Sequence, residues 1–104
     1  LPVPLKDYVH TYLGFPILIK KEAPFSKDEI VKFLDEKNIE TRAFLGGCLP
    51  DQPGFRNKPH KIVGNLPVSR YLKEYAFYIG CHPAINKKAR DYVVDMFKEF
   101  LEKY

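Results

Sequence analysis

The sequence predicts a small α+β domain in which helices cover one face of a mostly antiparallel sheet. Short runs rich in β-branched and aromatic residues predict strands at 14–20, 40–45 and 76–80. A capping box at Ser26-Lys27-Asp28-Glu29 begins a helix between the first two strands. The last segment repeats apolar residues every three or four positions, which is typical of an amphipathic helix.

Single residues predict where the first strand lies in the sheet and where the first helix ends. Pro16 has no backbone N–H to donate, so the first strand is expected to begin there or to lie at a sheet edge. Asn38 is suited to end the helix in a left-handed conformation, with Ile39 folding back onto it. The apolar side of this helix consists of Ile30, Phe33 and Leu34.

Two more helices are predicted in the second half of the chain. Pro67 suits the first turn of a short helix that ends near Tyr75, and Asn86 is a cap for the long final helix. The final helix is expected to bury one stripe against the sheet or, where the stripe faces solvent, against a partner domain. Its members are Ala89, Tyr92, Val93, Met96, Phe97, Phe100, Leu101 and Tyr104.

The segment from Gly46 to Gly64 is rich in Gly, Pro, Asn and Asp, and it reads as a long loop. Loops of this length in compact domains are often functional. Arg42 lies just before it, close to Gly46-Gly47, so a fork of donors stands beside backbone that can approach a ligand closely. This combination suits a carboxylate or a phosphate. On local features alone, a surface ion pair and a simple glycine turn fit equally well.

Length and composition are those of one globular domain, residues 1–104, in which residues 1–12 form an extended lead-in. No apolar run is long enough to cross a bilayer. The excess of 17 basic over 13 acidic residues is scattered, so the net charge of +4 selects neither nucleic acid nor a membrane as partner. Cys48 and Cys81 lack the spacing of a metal site, and two free thiols fit the reducing cytoplasm.

No constellation for independent catalysis can be assembled. The Gly-x-Ser-x-Gly elbow, the Walker loop and the dinucleotide glycine fingerprint are all absent. The three histidines, His10, His60 and His82, stand far apart and beside no evident nucleophile. We therefore assign no catalytic, cofactor-binding or metal-binding residue within this chain.

Several short motifs occur in an order that resembles a known family. From about Tyr12 onward, the chain resembles the C-terminal region of the DegT/DnrJ/StrS pyridoxal phosphate-dependent nucleotide-sugar enzymes. The pattern is most similar to the 3-dehydratases, which remove the 3-hydroxyl of 4-keto-6-deoxyhexoses. The motifs are Gly14-Phe15-Pro16-Ile17, Ile39-Glu40-Thr41-Arg42, Gly46-Gly47, Leu49, Gln52-Pro53, Val63-Gly64 and Phe77-Tyr78-Ile79-Gly80-Cys81-His82-Pro83.

The resemblance implies that residues 13–104 form the C-terminal small domain of a fold-type-I aminotransferase architecture. A large domain would hold pyridoxal or pyridoxamine phosphate, and this chain alone would bind no cofactor. The whole enzyme would be a cytoplasmic homodimer that acts on a nucleotide-linked sugar in deoxysugar or lipopolysaccharide biosynthesis. The residues that match the substrate-side loop are Arg42, Gly46, Gly47 and Gln52.

Two departures from the family pattern and two alternative functions remain. Cys48 stands where the family has asparagine, and Ala84 replaces a common glycine. The first alternative is a sugar aminotransferase, which would differ by a lysine in place of a histidine in the large domain. The second is a free-standing basic α+β domain that binds an anionic ligand or nucleic acid.

Overall fold

The computed structural model of this chain describes residue 3 and residues 5–104. The predicted α+β class is confirmed: within these residues, helices accompany one three-stranded antiparallel sheet. The elements follow in the order β1 (Gly14–Leu18), α1 (Lys27–Glu36), β2 (Thr41–Ala43), a 3-10 helix (Leu49–Asp51), α2 (Pro53–Arg56), α3 (Pro67–Tyr75), β3 (Ala76–Gly80) and α4 (Lys87–Leu101).

The last strand along the chain lies at the centre of the sheet. β3 pairs antiparallel with β1 on one side and with β2 on the other. In this register Phe77 stands opposite both Ile17 and Ala43. β1 is an edge strand, which confirms the position predicted from Pro16.

Local side-chain chemistry sets both ends of α1 as predicted. The Ser26 hydroxyl accepts from the Glu29 amide at 3.2 Å, and the Glu29 carboxylate accepts from the Ser26 amide at 2.7 Å. Hydrogen bonds from Ser26 also lower the pKa of Glu29. At the other end, Asn38 has φ 58°, and the buried Ile39 donates its amide to the Leu34 carbonyl at 2.9 Å.

The core lies between α1, α4 and one face of the sheet. Because side chains alternate along a strand, Ile17, Phe77 and Ile79 share that face. Phe100 of α4 completes the core, and its ring contacts the rings of Phe25 and Phe33 at centroid distances of 5.0 and 5.2 Å. The buried cluster comprises Ile19, Ile30, Phe33, Leu34, Ile39, Phe77 and Phe100.

The apolar stripe of α4 is less buried than an amphipathic helix on a complete core would be. Asn86 caps the helix as predicted, since its side-chain oxygen accepts from the Ala89 amide at 3.0 Å. Phe100 is buried, Phe97 is half-buried, and Leu101 is 51% exposed. The expectation of one stripe buried against the sheet is therefore met only in part, and α4 ends before Tyr104.

The lead-in and the long loop are more structured than expected. In the lead-in, the Tyr8 amide donates to the Leu5 carbonyl at 3.1 Å, which closes a turn in the segment predicted to be extended. Leu1, Pro2 and Pro4 lie outside the described residues. The loop from residue 46 to 64 contains the 3-10 helix and α2. Among the described residues, no helix is long and apolar enough to span a membrane.

Replacement of Phe100 by alanine should destabilise the chain by about 3–5 kcal/mol, because a buried aromatic ring that packs on two others leaves a cavity. Val94→Ala is the matched control on the same helix, where the side chain is 51% exposed and the loss should stay below about 1 kcal/mol. Chemical denaturation of both variants measures the difference. Equal losses would contradict the assignment of Phe100 to the core.

Candidate functional site

Arg42 lies on the edge strand β2, opposite Tyr78 of the central strand. Its side chain is 67% exposed and forms an ion pair with Glu40, two residues earlier. An exposed pair of this kind contributes little to stability, because water and salt screen it. The guanidinium fork of Arg42 is therefore accessible to an anionic ligand.

Gly47 occupies a position that only glycine can fill without strain. Its φ is 58°, in the left-handed region, and its amide donates to the Phe44 carbonyl at 3.2 Å. A Cβ atom added to Gly47 would lie 3.0 Å from two side-chain carbons of Lys73 in α3. The glycine thus permits close packing of the loop on α3.

The side chain of Gln52 reaches back along the loop to Gly46. It lies between the 3-10 helix and α2, and its side-chain amide nitrogen donates to the Gly46 carbonyl at 2.8 Å. Its backbone carbonyl accepts from the amides of Phe55 and Arg56, which begins α2. No hydrogen bond reaches the side-chain oxygen of Gln52 from the described part of the chain. That oxygen can still accept from a ligand.

The structure brings three of the four predicted substrate-side residues together. Gly46, Gly47 and Gln52 form one unit, which we call the glycine loop, and it packs on α3 through Gly47. Among the described residues, no hydrogen bond joins Arg42 to this loop. Cys48 is buried, so its side chain contacts the protein and not a ligand in open solvent. The departure from the family pattern, cysteine in place of asparagine, therefore lies in the interior of the domain.

Arg70 and Asp51 were not found in the sequence analysis, although they fix this loop. Arg70 Nε lies 3.0 Å from Asp51 Oδ2, and Arg70 Nη2 lies 3.2 Å from Asp51 Oδ1. These hydrogen bonds lower the pKa of Asp51 and raise that of Arg70. Because the folded pKa of Asp51 is lowered, the pair stabilises the fold above the ordinary pKa of aspartate. That contribution is lost as the pH falls through the lowered value.

A wide apolar groove, which we call the α4 groove, runs between α4 and the sheet. Its volume is about 1220 Å³, and a second cleft of about 620 Å³ shares Ile17, Phe97 and Leu101 with it. Glu40, Arg42 and Tyr78 also contribute to its lining, although strand alternation turns the side chains of Arg42 and Tyr78 to the face of the sheet opposite Phe77. The chief apolar lining residues are Leu13, Phe15, Ile79, Ile85, Val93 and Val94.

The described residues do not fit a pyridoxal phosphate site. Such a site needs a buried partner for the ring nitrogen and anchored donors for the phosphate. In the described ranges, no polar or charged side chain is buried. The same ranges contain no cluster of three His, Cys, Asp or Glu residues that fits a metal ion.

A family model settles the relationship of this chain to known proteins. The model of the DegT/DnrJ/EryC1/StrS aminotransferase family matches residues 1–98. The chain belongs to this family. The predicted resemblance is thereby confirmed, and it extends over the glycine loop and over every residue of the α4 groove except Leu101.

Individual relatives in the family cover the chain almost completely. The lipopolysaccharide biosynthesis protein RfbH of Salmonella typhimurium is 39% identical over 86% of the chain. A dTDP-4-dehydro-2,6-dideoxy-D-glucose 3-dehydratase of Saccharopolyspora spinosa is 33% identical over 99%. A dTDP-4-amino-4,6-dideoxy-D-glucose transaminase of Shigella dysenteriae is 25% identical over 93%. The matched region spans 21%, 22% and 26% of these relatives, respectively.

In this family member, Gly47→Ala should destabilise the chain by at least about 1–2 kcal/mol. A non-glycine residue is strained at this φ, and the new methyl group would collide with Lys73. Gly54→Ala is the control, since open space surrounds Gly54 in α2, and its free energy of unfolding should stay the same or rise by up to about 1 kcal/mol. Thermal unfolding compares the two. A harmless Gly47→Ala would show that the loop does not pack on α3 as described.

Proposed function

We propose that this chain is the C-terminal small domain of a nucleotide-sugar 3-dehydratase that uses pyridoxal or pyridoxamine phosphate. This proposal depends on the similarity of the chain to RfbH and to a 3-dehydratase, which covers nearly the whole chain. The chain itself spans only about a fifth of the length of either relative. The rest of such an enzyme would supply the cofactor site. In this proposal the chain alone has no catalytic activity, and the complete enzyme is a cytoplasmic homodimer of deoxysugar or surface-polysaccharide biosynthesis.

The α4 groove supports a large domain as the first partner. Phe15, Val94 and Leu101 line it and are 42–51% exposed, which leaves one connected apolar surface on a small chain. Apolar surfaces of this extent mark interaction sites in soluble proteins. The large domain of the same enzyme would cover this groove, so that both domains share one core.

The glycine loop and Arg42 support an anionic, hydroxyl-rich substrate such as a nucleotide-linked sugar. Arg42 presents a planar fork of donors that fits a phosphate or carboxylate. Gln52 presents an amide oxygen that suits a hydroxyl donor. The cofactor, when bound in the large domain, supplies an electron sink for the reaction. The residues of this chain bind and orient the sugar.

A sugar aminotransferase is the second candidate, because a transaminase is also among the relatives. The two reactions would be separated by one residue of the large domain, where lysine favours transamination and histidine favours dehydration. A free-standing nucleic-acid-binding domain has only the net charge of +4 in its favour. Tight, salt-sensitive binding of the chain to RNA or DNA would favour that third function.

In the complete enzyme, Arg42→Lys should lower turnover of the nucleotide-sugar substrate by about tenfold or more, with little change in melting temperature. Lysine keeps the charge and loses the planar fork. Glu40→Gln is the control, because it removes the ion-pair partner of Arg42 and leaves the guanidinium intact. Turnover in that variant should stay within about twofold of the wild type. Equal losses in both variants would mean that Arg42 acts through the ion pair and not on the substrate.

The large-domain contact is tested by introducing a charge at two exposed valines. Val94 lines the α4 groove, whereas Val68 on α3 does not, and both are more than half exposed. In the complete protein, Val94→Glu should cost about 1–3 kcal/mol, because it would bury a carboxylate against the large domain. Val68→Glu should cost less than about 0.5 kcal/mol. In the 104-residue chain alone, neither variant should change stability. The same loss for Val94→Glu in both proteins would contradict a contact across this groove.

A further inference from the structure

Arg70 stands at the start of α3 and holds two separate points of the long loop. Its Nε and Nη2 atoms donate to the two carboxylate oxygens of Asp51, at 3.0 and 3.2 Å. Its Nη1 atom donates to the carbonyl of Asn65 at 2.6 Å. Asp51 lies in the first third of the loop, and Asn65 comes directly after its end. One side chain therefore closes the segment between them.

The same helix also supports the other end of the glycine loop. Lys73 follows Arg70 by three residues, so the two side chains lie on the same side of α3. Arg70 binds Asp51, and Lys73 packs against Gly47. The loop is thus fixed to α3 both before and after the buried Cys48.

Gln52 is the residue most directly affected by this arrangement. It follows Asp51 in the chain, and its side chain binds the Gly46 carbonyl. A shift of Asp51 away from α3 would move Gln52 and break its bond to Gly46. We propose that Arg70 is a positioning residue, which acts through Asp51 to hold the glycine loop in the conformation that receives the sugar. This role rests on the proposed function of the glycine loop.

An ordinary surface ion pair would not hold a loop in one conformation, since exposed pairs contribute little to stability. Arg70 differs from one in two respects. Its contact with Asp51 is bidentate, which fixes the orientation as well as the distance. Its third bond, to Asn65, joins a second part of the backbone to the same planar group. Lysine at this position would keep the charge but could not form the fork.

The test exchanges the two charges in the complete enzyme. Arg70→Asp and Asp51→Arg each place like charges face to face, whereas the double variant restores an opposite pair. Hydrogen exchange over residues 46–64 reports loop order, and steady-state kinetics report KM and kcat for the nucleotide sugar. Lys87→Asp is the control, because it reverses one charge of the exposed pair Lys87–Asp91 on α4, outside the loop.

Each single variant should speed exchange in the loop and raise KM by at least about tenfold, with kcat changed less than KM. The double variant should recover a large part of both losses, because the effect depends on the pair. Arg70→Lys should fall between the wild type and Arg70→Asp. Lys87→Asp should alter neither readout.

Two results would overturn the positioning role. If the double variant is as impaired as the two singles combined, the pair is not the cause. If exchange rises while KM stays unchanged, Arg70 orders the loop without any effect on substrate binding. These two results can be interpreted only if the wild-type enzyme turns over a nucleotide sugar. A wild type without such turnover would instead refute the proposed function, and the positioning role with it.

Discussion

The central position of β3 is the constraint on which the rest of the structure depends. Phe77 is almost fully buried and stands opposite Ile17 of one edge strand and Ala43 of the other. A shift of one residue in the pairing of β1 with β3 would turn Phe77 or Ile17 away from α1 and α4. The hydrophobic core therefore fixes the register of β1 against the central strand.

This register also determines where the candidate site lies. Because Phe77 faces the core and side chains alternate along a strand, Tyr78 and the paired Arg42 are turned to the opposite face of the sheet. α3 runs directly into β3, since Tyr75 ends the helix and Ala76 begins the strand. The central strand thus orients the helix that holds the glycine loop. Core packing and site geometry depend on the same few residues.

The parts of the fold that could be predicted from sequence are those set by neighbours along the chain. The capping box at Ser26, the left-handed Asn38, the first-turn Pro67 and the cap at Asn86 are local, and each was predicted correctly. The edge position of β1 followed from the missing N–H of Pro16. In each case the physical cause lies within four or five residues of its effect.

The parts that could not be predicted depend on pairs far apart in sequence. Arg70 and Asp51 are 19 residues apart, and no periodicity relates a 3-10 helix to the first turn of a later helix. The stripe on α4 indicated an apolar partner without indicating which one. Its incomplete burial is a property of the tertiary structure, in which Phe97 and Leu101 line open clefts. Sequence patterns predict that a surface is apolar, whereas its partner depends on tertiary structure.

The two arginines beside the loop illustrate the same distinction for function. In the sequence, each is a single arginine with no other basic residue adjacent to it. Arg70 commits three donors to protein acceptors, so its guanidinium has a fixed place and a structural task. Arg42 has one exposed carboxylate as its ion-pair partner among the described residues, and such a contact exchanges readily with another anion. A rigid arginine can hold a loop in position, and a replaceable contact leaves an arginine available to bind. The chain thus has an arginine suited to each task, on either side of the glycine loop in sequence.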